Sequence, residues 1–167
     1  MTLLLVAVSI AAQPWCEGTI RVWQVGDGHA CPERVAVCVR VAGYVAEAGA
    51  PLALGLALAY HEARFDPSPR RMCSTWQLAR RYHCRGCSHR ECERAGAALL
   101  ARLLREERER GGATNRKSRR VATPERRALR RWLRGPAGWR GIDAAGERWL
   151  SAVLRTAGGA GYVASAE

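Results

Sequence analysis

The segment that most limits how this chain can fold is Pro51-Leu52-Ala53-Leu54-Gly55-Leu56-Ala57-Leu58-Ala59-Tyr60. Read as a helix it has no polar face, so it belongs inside a core rather than on a surface. Gly49-Ala50-Pro51 breaks it from a preceding helix, expected from Pro32 to about Ala48. Pro32 stands in the first turn, where the missing N–H is tolerated. Val35, Cys38, Val39, Val41, Ala42 and Val45 form that helix's apolar face. At the far end of the apolar run His61, Glu62 and Arg64 arrive abruptly, and Phe65-Asp66-Pro67-Ser68-Pro69 ends the element. Glu62 therefore stands where a buried helix meets the surface.

That placement has a chemical meaning. Cutting a glycosidic bond requires protonation of its oxygen by an acid that keeps its proton near neutral pH. Burial against apolar side chains raises a carboxyl pKa by desolvation. Glu62 follows an apolar helix and precedes Phe65, an environment of that kind. The competing reading is an ordinary surface Glu paired with Arg64, with His61 as a polar residue at the helix end. Spacing alone does not separate the two.

Further helices are expected at about Ala95–Arg110, Pro124–Leu133 and Glu147–Thr156. Thr19 to Val25 alternates like a short extended segment, and 111–123 reads as a basic, Gly-interrupted linker. Charge is uneven within the net +12. Residues 1–67 carry 4 Arg against 6 Asp+Glu, and residues 68–167 carry 23 Lys+Arg against 9 Asp+Glu. A basic half suits an anionic partner such as nucleic acid, anionic lipid or bacterial cell wall. No segment is long enough to span a bilayer. Met1 to Ala12 resembles a short secretion signal, with cleavage expected at Ala11 or Ala12, although no Lys or Arg precedes its apolar run. For an exported chain the seven cysteines (Cys16, Cys31, Cys38, Cys73, Cys84, Cys87 and Cys92) suggest disulfides with at least one thiol left over. Cys84-x-x-Cys87 also has zinc-knuckle spacing, with His89, Cys92 or Cys73 as further candidates. Disulfides are the favoured reading.

The run from Ala48 to Pro67 resembles the start of the soluble lytic transglycosylase domain, which shares its fold with goose-type lysozyme. The family pattern is a helix, a Gly-x-Pro break, an apolar helix, then Glu-Ser-x-Phe-Asn/Asp-Pro. Ala63 stands here in place of Ser. Ser74-Thr75-Trp76-Gln77-Leu78 occupies the place of the family's Gly-Leu-Met-Gln, with Gln77 matching and Ser74 replacing Gly. Trp132-Leu133-Arg134-Gly135-Pro136 is nearest to Tyr-Asn-x-Gly; Trp132 replaces the aromatic and Leu133 loses the amide. Trp149 to Leu154 echoes a closing Tyr-Val-x-x-Val-Leu segment. The resemblance covers about 34–156 and is densest at its start.

What the resemblance implies is a mostly α, lysozyme-like domain with a cleft and a short extended N-terminal segment. It implies Glu62 as single acid/base, with Gln77, Trp76, Trp132 and Phe65 contacting substrate. The substrate is the peptidoglycan glycan strand, cut at the MurNAc–GlcNAc bond, with no cofactor and no metal. The expected organisation is a signal segment over 1–15, an N-terminal extension over 16–33, the catalytic domain over 34–156 and a flexible tail over 157–167. The expected location is secreted or periplasmic, or the lysis apparatus of a phage. Possible further partners are other anionic cell-wall polymers. Lysozyme-type hydrolysis by the same Glu62 is one alternative, and an inactive lysozyme-like scaffold is another. A basic, cysteine-rich nucleic-acid-binding module is a third, built on Asn115 to Arg120 with Arg126, Arg127, Arg130, Arg131 and Arg134. Nucleic acid is not the expected partner, because that reading leaves the apolar helix ending in Glu62 unexplained.

Overall fold

The computed structural model describes residues 12–18, 32–65, 76, 88–111, 123–134 and 143–159. The protein is mostly α, and among the described residues there is no strand. Among the described residues six helices follow in order: α1 over 12–18, α2 Pro32–Glu47, α3 Leu52–Ala63, α4 His89–Gly111, α5 Pro124–Arg134 and α6 Ala144–Gly159.

Local chemistry explains where the helices begin. Ser88 and Glu91 form a reciprocal capping box. The Ser88 N–H donates to Glu91 Oε2 (2.7 Å), and the Glu91 N–H donates to Ser88 Oγ (3.4 Å). This box starts α4 at His89, six residues before the start expected from apolar periodicity. Thr123 Oγ1 accepts the Arg126 N–H (3.3 Å) and opens α5. Asp143 Oδ1 accepts the Gly146 N–H (2.8 Å) and opens α6 at Ala144, ahead of the expected Glu147. The same helix runs to Gly159, so residues 157–159 of the expected tail are helical.

Helix α3 is buried from Leu54 to Tyr60 without interruption, as a helix with no polar face requires. It packs most extensively on α6 and also on α2; α2 packs on α4, α4 on α5, and α5 on α6. These pairings close a ring of five helices around a core that includes Val41, Val45, Leu56, Leu58, Phe65, Trp76, Leu100, Leu104, Leu129 and Leu150. Helix α1 is joined to α2 by the Cys16–Cys38 disulfide. Ala12 and Cys16 are buried and Trp15 packs on the core, so the expected boundary at residue 15 falls inside a helix. Residues 1–11, the expected extended segment 19–25 and the linker residues 112–122 lie outside the described residues. No helix among the described residues is long and apolar enough to cross a membrane.

Helices α2 and α3 meet at Gly55. A Cβ there would lie 2.6 Å from both γ-methyls of Val45. Gly55→Ala is therefore expected to destabilise the fold by about 1–3 kcal/mol through overpacking. In urea unfolding, combining it with Val45→Ala should cost less than the sum of the two single changes, because the second change removes the clash.

Candidate functional site

The C-terminal turn of α3 distributes three consecutive side chains to three neighbours. Tyr60 is buried, and its hydroxyl accepts a hydrogen bond from Arg64 Nη1 (3.0 Å). His61 Nε2 shares a hydrogen bond of 3.0 Å with Thr156 Oγ1 of α6. Glu62 Oε1 accepts a hydrogen bond from Trp132 Nε1 of α5 (3.1 Å). Helical rotation of about 100° per residue is what lets adjacent positions reach different helices.

The turn that ends α3 is strained. Arg64 (φ 51°) and Phe65 (φ 54°) both lie in the left-handed region, where a side chain with a Cβ costs on the order of 1–3 kcal/mol. Arg64 caps the helix, its N–H donating to the Tyr60 carbonyl (2.7 Å). Its guanidinium lies over the Tyr60 ring, 5.4 Å from the centroid, and its carbonyl accepts from Arg34 Nη1 (3.5 Å). Phe65 is fully buried, and burying such a ring is worth roughly 1.5–3 kcal/mol, enough to offset its backbone. The reversal keeps Glu62 within the last ordered turn of α3.

Arg64 is thus engaged with Tyr60, and the carboxylate-pairing role open to it in the sequence falls away for Glu62, whose hydrogen-bond donor is Trp132. Burial pushes the Glu62 carboxyl up to about 7, and the Trp132 hydrogen bond opposes that rise. The residue still keeps partial solvent contact, as an acid that must reach a ligand requires. Burial lowers the pKa of neighbouring His61, with the charges of Arg64 and Arg155 acting in the same direction. In both groups burial favours the neutral form and so disfavours charge at this end of α3.

The other expected site residues divide. Trp132 reaches Glu62 directly. Trp76 is 1% exposed and Phe65 is 0% exposed, so neither offers a face to a sugar. Trp76 instead packs on Trp132 (ring centroids 5.8 Å apart, planes at 57°), and its Nε1 donates to the Glu93 carbonyl (2.9 Å). Phe65 closes the core beneath the turn. Gln77 lies outside the described residues, as do Gly135 and Pro136 of the segment nearest to Tyr-Asn-x-Gly. Leu133 is 39% exposed and points away from a core role. A concavity lined by Ala12, Trp15, Leu52, Ala53 and Leu56 lies toward the N-terminal end of α3, about 9–15 Å from Glu62 along the axis. Thr156 and Gly96 were not legible as parts of this neighbourhood, although the small-residue run Ala95 to Ala98 carried a signal for close packing.

Four arginines of the nucleic-acid alternative, Arg126, Arg127, Arg130 and Arg131, are committed within the fold. Arg127 Nε and Arg131 Nη1 reach buried Glu107 (2.9 and 3.2 Å), and Arg131 also pairs with Glu106 (2.7 Å). Arg126 and Arg130 both pair with Glu147 of α6. Residues 115–120 lie outside the described residues. Cys92 is disulfide-bonded, which removes it as a zinc thiolate; Cys73, Cys84 and Cys87 lie outside the described residues. Among the described residues no group of three metal-ligating side chains is found.

No family model, no curated protein and no solved structure matches this chain.

Because folding raises the Glu62 pKa, the folded state holds this proton more tightly than the unfolded chain. Its stabilising contribution is present below the ordinary carboxyl range and is lost as pH rises from about 4.5 through about 7. Glu62→Gln should therefore match wild type at pH 4 and exceed it at pH 8 by at most about 3 kcal/mol in urea unfolding.

Proposed function

We propose that this chain is a peptidoglycan-cleaving lytic transglycosylase in which Glu62 is the single acid/base. The observation that carries the reading is a carboxyl buried at the end of an apolar helix, still partly open to solvent, whose burial pushes its pKa up to about 7. The resemblance of Ala48 to Pro67 to the transglycosylase domain supports the choice of substrate, the MurNAc–GlcNAc bond of the glycan strand. A net charge of +12 suits an anionic wall polymer. The Cys16–Cys38 disulfide suits a chain that works in an oxidising compartment, secreted or periplasmic.

In the proposed reaction the protonated Glu62 gives its proton to the glycosidic oxygen. The C1–O bond breaks and its electron pair goes to that oxygen, which leaves as a hydroxyl. The carbonyl oxygen of the sugar's own N-acetyl group supports the positive charge at C1, so no second carboxylate is required, unlike the paired-carboxyl glycosidases. Carboxylate Glu62 then takes the proton of the C6 hydroxyl as that oxygen bonds to C1, which closes an anhydro ring and restores the acid. Attack by water in place of the C6 hydroxyl would give the lysozyme outcome with the same residue.

Purified peptidoglycan incubated with the protein should release fragments with anhydro ends, identified by mass. Reducing ends would assign hydrolysis instead, and intact strands would refute the reading. Activity should hold below pH 7 and fall about tenfold per pH unit above it, as the acid loses its proton. Glu62→Gln should lower the rate by at least about 100-fold.

A further inference from the structure

We infer that Trp132 is a positioning residue that assigns different roles to the two oxygens of Glu62, holding Oε1 as the acceptor and leaving Oε2 to carry the mobile proton. This rests on the acid/base reading of Glu62 given above. The indole N–H can only donate. It meets Oε1 at 3.1 Å. A neutral carboxyl has one carbonyl oxygen and one hydroxyl oxygen, and the carbonyl oxygen is the better acceptor. Trp132 therefore favours the form with the proton on Oε2. Once the proton has left, the same bond becomes charge-assisted and stabilises the carboxylate. Trp132 thus acts in both halves of the proposed cycle without leaving its place.

The packing around Trp132 is built to keep that nitrogen on target. Its ring lies against Trp76, with centroids 5.8 Å apart. The Trp76 ring fills a slot that only glycine permits, since a Cβ on Gly96 would lie 2.3 Å from its Cδ1. The Trp76 N–H is anchored on the Glu93 carbonyl at 2.9 Å. The Glu93 carboxylate is gripped by Arg40 of α2 through two bonds of 2.6 and 2.8 Å. A donor on α5 is in this way braced by α2 and α4 while it holds an acceptor on α3.

The test is NMR titration of the full chain carrying 15N-labelled Trp and 13C-carboxyl Glu, from pH 4 to pH 9. In wild type the Trp132 indole resonance should titrate with the same midpoint as the Glu62 carboxyl, near pH 7. Glu62→Gln should abolish that indole titration, a comparison that leaves Trp132 untouched. Trp132→Phe should raise the Glu62 midpoint by about one pH unit, because a bond that favours the carboxylate is lost. It should also carry the alkaline limb of the cleavage profile upward and reduce kcat about tenfold with KM little changed. An indole resonance that stays flat through the Glu62 titration would overturn the proposal, as would an unmoved midpoint in Trp132→Phe. Locked titrations in a wild-type protein that leaves peptidoglycan intact would uphold the Trp132–Glu62 coupling and remove only the cleavage reading.

Discussion

A helix that is apolar on every face must be covered on every face, and α3 imposes that demand on the rest of the chain. Helix α2 takes one side, approaching so closely that Gly55 is needed opposite Val45. Helix α6 takes another, and α5 closes the ring between α6 and α4. Past Tyr60 the cover becomes partial, and there the sequence turns polar. Tyr60, His61 and Glu62 then make directed bonds to Arg64, Thr156 and Trp132, respectively, where the helix above them makes only apolar contacts. The candidate site is thus a boundary effect of the core: its carboxyl is raised in pKa because the helix that carries it is so thoroughly buried.

The charge of the chain follows a different logic. Most of the arginine on α5 is spent on neighbouring glutamates rather than displayed. Glu107 is buried and accepts from Arg110, Arg127 and Arg131, while Glu147 ties α6 to α5 through Arg126 and Arg130. Breaking such a buried cluster by removing one partner is more damaging than the modest net worth of the pairs suggests. A helix whose sequence reads as a phosphate-binding face therefore acts as internal glue. Composition reports the sum of charges, and the sum is silent about which of them already have partners.

Much of the fold was legible in the sequence for physical reasons. The apolar run, its Gly-Ala-Pro break and its polar end fixed α3 and the position of Glu62, because hydrophobic periodicity and helix breakers are local signals. The starts of α4 and α6 were misplaced, since the Ser88/Glu91 box and the Asp143 cap outweigh apolar periodicity at helix ends. The site was legible as single residues and illegible as pairs. Trp132 stood out as an aromatic near Leu133, but its bond to Glu62 joins positions 70 residues apart. Trp76 was expected to contact substrate from its place beside Gln77, and nothing local in the sequence hints that Gly96 is kept bare to receive its ring. The left-handed pair Arg64–Phe65 had no signal either, for neither residue favours that backbone.

The bond between His61 and Thr156 has a temporal side. It joins positions 95 residues apart, and α6 is the principal cover of α3. On a ribosome adding roughly 5–20 residues per second, the apolar helix is made some 5–20 s before its cover. During that interval α2, already synthesised and linked to α3 by a short turn, is the neighbour at hand. The close fit of Gly55 against Val45 is available from the start of that interval, so the chain can shield part of its most aggregation-prone segment while the acid at the end of α3 still waits for its surroundings.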